Sequence, residues 1–193
     1  MKQLEWASVN PCIGRDAEVE RLFALIESGA RQISILGPGG IGKTTLANYF
    51  LRQHQQRYGA GRYFSCDLSH VSTLDEFLLV VSEAVGVEAV DWESQEEGVE
   101  LIGRAFERRA GGLLILDNVE GLTKVVAPSL SYWSGLAIEF TLIATSRHRL
   151  RLKNEVCLEL GTLPVIEARE LFISTVKRSH QAFEVPEEEL GVL

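Results

Sequence analysis

The residues that decide the fold are 37–44, Gly-Pro-Gly-Gly-Ile-Gly-Lys-Thr. A glycine followed by four residues and then Gly-Lys-Thr is the phosphate-loop (Walker A) pattern. A short β-type run at 32–36 precedes it and a helical pattern starts near Lys43, which is the strand–loop–helix context that the pattern requires. Glycines let consecutive backbone N–H groups curl around a phosphate, and the helix N-terminus adds partial positive charge. We therefore predict a nucleotide site on this loop.

The phosphate-loop pattern predicts chemical roles for three side chains, and it also requires a carboxylate near the metal. Lys43 is expected to bridge the β- and γ-phosphates, Thr44 to bind Mg²⁺ through its hydroxyl, and Thr45 to donate to the α-phosphate. The apolar run 113–116 ends in Asp117. Active-site groups of parallel sheets lie at the carboxyl ends of strands, so Asp117 is predicted to face Mg²⁺ beside Thr44. An apolar run ending in aspartate is common by itself, so this prediction depends on the loop.

Hydrolysis of ATP also needs a group that orients or deprotonates water. Asn118 follows Asp117 where a second acid could stand, and Glu120 is the nearest carboxylate. We hypothesise that Glu120 fills this role. The alternative is a glutamate that caps the following segment or faces solvent.

Strand and helix patterns alternate along the chain. A helical pattern runs from Asp16, a candidate cap, to Gly29, and two capping-box patterns, Ser72–Asp75 and Ser94–Glu97, open further helices. The remaining predicted elements are strands at 62–66, 113–116, 140–144 and 156–160 and a helix at 164–180. This alternation predicts an α/β fold of three layers, with a mostly parallel sheet covered by helices on both faces.

Composition limits the classes of function. Hydrophobic residues make up 46% and charged residues 24%, as in a soluble globular protein, and the apolar runs are too short to span a membrane. We expect a cytoplasmic location, since the N-terminus has no signal-peptide pattern. The net charge of −8 argues against direct nucleic acid binding, and the basic run 147–153 is consistent with a solvated loop. Three widely spaced cysteines indicate neither a disulfide framework nor a zinc site.

Five segments in order resemble one family. They are residues 12–18 (CIGRDAE), 37–47 (GPGGIGKTTLA), 113–120 (LLILDNVE), 142–147 (LIATSR) and 160–172, which contains Leu160, Leu163 and EARELF. Together they span nearly the whole chain. The sequence thus resembles the ATPase core of STAND-type signalling ATPases, of the bacterial NB-ARC-like kind, which is related to AAA+ proteins.

The resemblance implies a strand order of 5-1-4-3-2 in a five-stranded sheet. It implies that Thr145 and Arg147 lie beside the γ-phosphate and that Arg147 senses whether ATP or ADP is bound. It also implies that residues 12–15 line the adenine pocket, with Ile13 packing on the base and Arg15 reaching the nucleotide or a neighbouring subunit. The alternatives are a surface arginine in a basic loop for Arg147 and a surface residue at a helix start for Arg15.

The expected site residues fall into three groups. The catalytic group is Lys43, Asp117, Glu120 and Arg147. The Mg²⁺ ligands are Thr44 and Asp117. The residues expected to bind ATP or ADP are Ile13, Gly14, Arg15, Gly37, Pro38, Gly39, Gly40, Ile41, Gly42, Lys43, Thr44 and Thr45.

The predicted domain organisation is a lead-in at 1–12, a nucleotide-binding domain at 13–180 and the start of a downstream helical region at 181–193. The family's downstream glycine-proline motif and winged-helix domain are not found in residues 1–193, which fits either a piece of a longer protein or a minimal member of the family. Self-association through the ATPase core is expected in the longer protein.

Three functions fit the sequence. The first is a nucleotide-dependent switch with slow Mg²⁺-dependent ATP hydrolysis, in which ATP favours a self-associating form and ADP resets it. The second is an interaction module that binds nucleotide without hydrolysing it, which Asn118 favours. The third, a P-loop small-molecule kinase, is disfavoured because the basic run 147–153 is too short for a phosphate-covering lid.

Overall fold

In the computed structural model, the described residues are 12–59, 62–88, 92–109 and 111–179. Eleven elements follow one another along these residues: α1 (Asp16–Glu27), β1 (Gln32–Leu36), α2 (Lys43–Tyr58), β2 (Tyr63–Asp67), α3 (Leu74–Val85), α4 (Gln95–Glu107), β3 (Leu113–Asp117), α5 (Thr123–Leu136), β4 (Thr141–Ser146), β5 (Val156–Glu159) and α6 (Val165–Ser179). Residues 1–11 of the predicted lead-in (1–12) and the predicted downstream region at 181–193 lie outside the described residues.

The five strands form one parallel sheet in the order β2-β3-β4-β1-β5. This order confirms the predicted 5-1-4-3-2 arrangement. It places β4 between the strand that enters the phosphate loop and the strand that ends in Asp117. Because all pairs are parallel, the carboxyl ends of the strands meet at one edge, where Leu36 pairs with Ser146 and Asp67 pairs with Asp117.

Helices cover both faces of the sheet, which gives the three predicted layers. One apolar cluster joins α1 and α2 to the sheet through buried residues that include Leu22, Leu46 and Phe50. The other joins α3, α4 and α5 to the opposite face. Strand β3 contributes alternately: Leu114 and Leu116 belong to the second cluster, whereas Leu113 and Ile115 belong to the first. This period of two explains why the strand is apolar throughout.

The structure corrects two predicted helix starts. Asp16 lies in the first turn of α1 and does not cap it, since the capping position belongs to Arg15, which makes no side-chain capping bond. Asp16 still suits the positive end of the helix dipole. The first capping box is formed by Thr73 and Glu76 rather than Ser72 and Asp75. The longer glutamate side chain reaches back to accept hydrogen bonds from the backbone N–H groups of Ser72, at 2.7 Å, and Thr73, at 3.2 Å.

Helix α5 has no counterpart among the predicted elements. It contains Pro128, a residue that removes a backbone donor and normally interrupts a helix. Its buried residues Val126, Leu130 and Trp133 belong to the apolar cluster shared by α3, α4 and the sheet, and this burial offsets the cost. Among the described residues no helix is both long and apolar enough to cross a bilayer.

Replacing Trp133 by phenylalanine is expected to destabilise the fold. Trp133 is 3% exposed, stacks on Phe77 and donates from Nε1 to the backbone carbonyl of Val99 in α4 at 2.7 Å. Phenylalanine keeps an aromatic ring but loses this hydrogen bond, which costs about 0.5–1.5 kcal/mol, and leaves buried space that the larger indole filled. Urea unfolding measures the loss. Tyr132→Phe, at an exposed neighbour, is the control and should change stability by less than about 0.5 kcal/mol. An unchanged midpoint for Trp133→Phe would contradict this reading of the α4–α5 contact.

Candidate nucleotide site

The phosphate loop joins the carboxyl end of β1 to the first residue of α2. Gly40 and Gly42 adopt left-handed backbone conformations, with φ of 77° and 98°, which glycine reaches without strain. Gly42 is the capping residue of α2 and has no side chain with which to cap it. The N–H groups of the first helical turn are therefore left for an anion. Pro38, Gly39 and Gly40 are exposed at the outside of the loop.

Lys43 closes the loop from its inner side. Its residue is 9% exposed, and its Nζ donates to the carbonyl oxygens of Gly37 at 2.8 Å and Pro38 at 3.0 Å. The ammonium group thus lies across the loop with neutral acceptors only among these contacts. A phosphate in the loop would add the anionic partner that a buried cation favours. The loop and Lys43 together fit a nucleotide phosphate chain.

The two predicted Mg²⁺ ligands, Thr44 and Asp117, are in direct contact. Thr44 Oγ1 donates to Asp117 Oδ1 at 2.9 Å, across the sheet edge from α2 to β3. Thr145, at the end of β4, also donates its hydroxyl to Asp117 Oδ1. A hydroxyl and a carboxylate are hard oxygen ligands, and Mg²⁺ is commonly held by one or two such groups together with substrate phosphates. These residues therefore fit Mg²⁺ that is bound with a nucleotide.

Glu120 and Arg147 form an ion pair beside the phosphate loop. Arg147 Nε lies 3.0 Å from Glu120 Oε1. A Cβ atom built on Gly39 would lie 3.5 Å from Arg147 Nη2, so the guanidinium also reaches the loop. Arg147 is the more exposed partner, with 60% of its side chain accessible against 20% for Glu120. The structure thus places Glu120 and Arg147, two of the four predicted catalytic residues, beside the phosphate loop.

Asn118 belongs to this cluster, although its side chain was not among the predicted site residues. Its backbone N–H donates to Thr145 Oγ1 at 2.9 Å, and its φ of 65° lies in the left-handed region. When the side-chain amide of Asn118 is oriented with its nitrogen toward Glu120, that nitrogen donates to Glu120 Oε1 at 3.0 Å. Asparagine adopts this backbone conformation more readily than most residues. The signal for this turn was the asparagine itself, directly after the strand.

The N-terminal segment packs on the other flank of the loop. Arg15 is 6% exposed and makes three contacts: with Glu18 Oε1 at 2.8 Å, with the Ile41 carbonyl at 3.3 Å and with the Gly161 carbonyl at 2.7 Å. Arg15 is therefore a buried residue that connects the loop to the β5–α6 segment by hydrogen bonds, rather than a surface residue. Ile13 and Gly14 precede it and are half-buried. Thr45 is half-buried in the first turn of α2.

Two titratable groups near the site are shifted by their surroundings. Burial raises the pKa of the Cys12 thiol to about 11, so this residue is a neutral thiol at pH 7. Hydrogen bonds from the Ser69 hydroxyl and N–H lower the pKa of Asp67. Because Asp67 ends the strand next to Asp117, this lowered pKa places an ionised carboxylate at that position of the sheet edge at neutral pH.

Comparison with known proteins relates the chain to ATPases. The family described as an AAA domain matches residues 26–152, which is more than half of the chain. A Mycobacterium tuberculosis (H37Rv) protein described as an HTH-type transcriptional regulator is 26% identical over 156 residues, which are 80% of this chain and 17% of that protein. The chain thus spans about a sixth of the length of this relative.

Solved structures share the fold at low sequence identity. The ORC1 protein of Aeropyrum pernix, determined in complex with DNA, has a TM-score of 0.71 and 20% identity, covering 88% of this chain and 50% of that one. A STAND protein with a tetratricopeptide repeat sensor from Pyrococcus horikoshii has a TM-score of 0.54 and 20% identity, covering 90% of this chain and 26% of that one. Both likenesses support the three-layer P-loop fold.

Proposed function

Because the chain belongs to the AAA domain family, we propose that it binds ATP or ADP with Mg²⁺ and that the bound nucleotide switches its self-association. Membership makes the chain a nucleotide-binding P-loop ATPase domain. The finer content of the proposal is slow hydrolysis, a signalling role, and a STAND-type, NB-ARC-like subtype. We assign the nucleotide-binding domain to residues 13–180, with residues 1–12 and 181–193 as its flanks.

Each residue of the proposed site has a distinct task. The loop N–H groups and Lys43 hold the phosphates, and Thr44 and Asp117 hold the metal. Mg²⁺, when bound, neutralises negative charge on the β- and γ-phosphate oxygens. Glu120 orients or deprotonates the attacking water. Arg147 stabilises charge on the terminal phosphate.

The proposed switch is based on the position of Arg147, which contacts Glu120 and also reaches Gly39 of the phosphate loop. Because Arg147 is largely exposed, its ion pair with Glu120 stabilises this arrangement by only about 0–1 kcal/mol. A charge-assisted hydrogen bond from arginine to a phosphate contributes about 1.5–3 kcal/mol. A γ-phosphate in the loop therefore outcompetes Glu120 for the guanidinium, whereas ADP leaves the ion pair in place. The proposed ATP and ADP states differ in this one contact.

The switch is tested by the mass of the protein in solution. In light scattering after size exclusion, the full chain with Mg²⁺ and a non-hydrolysable ATP analogue is expected to form a dimer or larger species, and with Mg²⁺-ADP a smaller one. Arg147→Ala is expected to abolish this difference because it removes the phosphate sensor. Lys153→Ala, at an exposed position of the same loop, is the matched control. Equal masses for the wild type with both nucleotides would refute the switch.

A second candidate is an interaction module that binds nucleotide without turnover. The contacts of Glu120 favour it, because both Arg147 and the Asn118 amide engage the carboxylate that hydrolysis would need. In this reading the nucleotide stabilises a partner-binding surface and is not consumed. The Glu120 variant considered in the Discussion separates the two functions.

The output of the longer protein is a separate proposal. Relatives and structural neighbours include a protein described as a transcriptional regulator and one solved with DNA. We propose that this domain is the ATPase part of a larger regulator in which other segments contact nucleic acid. The net charge of −8 makes this domain a poor surface for DNA phosphates.

A further inference from the structure

Glu167, in the first turn of α6, carries a carboxylate with a buried oxygen. Its Oε2 atom is inaccessible to solvent and has no hydrogen-bond donor among the residues that the structure describes. The residue as a whole is only half-buried, so the carboxylate lies where the interior meets the surface. An oxygen held away from water without a donor costs folding free energy. Because this atom is inaccessible where it lies, a ligand recovers that free energy when the side chain turns toward the surface and meets a donor there.

The same side chain lies against the N-terminal segment of the site. A Cβ atom on Gly14 would be 2.6 Å from Glu167 Cβ and 3.1 Å from Leu163 Cδ2, so only glycine fits there. The next residue, Arg15, ties this segment to the Ile41 carbonyl of the phosphate loop. Glu167 therefore borders the same flank of the loop as Ile13 and Gly14.

The sheet order sets the direction in which a bound nucleotide extends. Strand β3, with the metal-binding Asp117, lies on one side of β1, and β5 lies on the other. The metal binds the terminal phosphates, and the base is at the opposite end of a nucleotide from them. A nucleotide held by the loop therefore extends its base toward the β5 side. Leu163 and Glu167 follow β5 and meet Gly14 on that side.

We propose that Glu167 reads the nucleobase, accepting a hydrogen bond from the exocyclic amino group of adenine. The inference rests on the nucleotide binding proposed above and names the base specificity of that site. Adenine presents an amino donor at its 6-position, where guanine and hypoxanthine present a carbonyl acceptor. A carboxylate attracts the first and repels the second. Sites that hydrogen-bond a substrate group strongly disfavour an analogue that lacks it.

The test is a calorimetric titration of the full chain with the Mg²⁺ complexes of ADP and inosine diphosphate (IDP). IDP carries a carbonyl oxygen at the 6-position and shares the sugar and phosphates of ADP. The wild type is expected to bind ADP at least about tenfold more tightly than IDP. In Glu167→Gln the ratio is expected to narrow to about threefold or less, because the new amide can also donate to the 6-carbonyl.

Controls distinguish this inference from the proposed function. Glu170→Gln, at an exposed position on the same helix, should keep the wild-type ratio. Lys43→Ala should weaken both nucleotides alike. Equal wild-type affinities for ADP and IDP, both lost in Lys43→Ala, would overturn base reading by Glu167 and leave the nucleotide site standing. A wild-type preference for ADP that persists in Glu167→Gln, or in Glu167→Ala if the glutamine variant does not fold, would equally overturn it. Failure of the wild type to bind either nucleotide would refute both.

Discussion

Lys43→Ala is expected to weaken binding of Mg²⁺-ADP and Mg²⁺-ATP by at least about 100-fold, the largest effect of any single change in the loop. Lys43 is buried and lies against the Gly37 and Pro38 carbonyls. In the proposed site its ammonium bonds the β-phosphate of either nucleotide and also the γ-phosphate of ATP. A hydrogen bond to a charged group contributes about 1.5–3 kcal/mol. Two such bonds exceed the roughly 2.7 kcal/mol that a 100-fold change in affinity requires. Isothermal titration calorimetry measures the loss.

A folding control accompanies this prediction. The substitution also removes a buried ammonium that has only neutral acceptors in its described contacts, so it should leave the thermal unfolding midpoint nearly unchanged. Lys124→Ala, at an exposed position of α5, removes the same charge away from the loop and should bind as the wild type does. Wild-type affinity in Lys43→Ala would mean that the nucleotide does not occupy this loop.

The second large effect is expected on the rate of ATP hydrolysis. Glu120→Gln should reduce the rate of phosphate release from ATP by about 100-fold, the lower end of what a general base contributes. Glutamine keeps the size of the side chain and can still accept a hydrogen bond from Arg147, but it cannot take a proton from water. Affinity for Mg²⁺-ATP should change little. Continuous assay of released phosphate, with affinity measured in parallel, separates catalysis from binding.

The control for turnover is Glu139→Gln, an exposed glutamate before β4, which should release phosphate as the wild type does. Unchanged release in Glu120→Gln, with loss in Lys43→Ala, would leave an ATPase that activates water by another group. No release above background in the wild type, with nucleotide binding intact, would favour the interaction module.

Sequence predicts the framework well because a single motif fixes it. A phosphate loop requires a strand before it and a helix after it, and the observed bounds of β1 and the start of α2 agree with this requirement. The order of the strands followed from family resemblance rather than from periodicity. Helix α5 was missed because Pro128 hides a helical pattern whose stability comes from tertiary packing of Val126, Leu130 and Trp133.

Contacts between distant segments could not be predicted in the same way. Arg15 reaches Gly161, 146 positions away, and such a bond depends on how β5 lies beside β1. The sequence left Arg15 open to contact with the nucleotide, with a neighbouring subunit or with solvent. The structure shows that Arg15 is buried, and its contact with nucleotide stays a prediction. The contact of Glu120 with Arg147 likewise depends on the neighbouring positions of β3 and β4. The residue types in the sequence limit which side chains can pair. The order and register of the strands then decide which of these pairs come into contact.

The end of β4 has a consequence for the kind of signal that the domain can report. Thr145 contacts the carboxylate of Asp117, the proposed Mg²⁺ ligand, and Arg147, two residues further on, contacts Glu120 and reaches the phosphate loop. One short stretch of backbone carries both contacts, so a displacement of that stretch alters them together. Under the proposed function, the domain therefore responds to the metal and the terminal phosphate together rather than to either one alone.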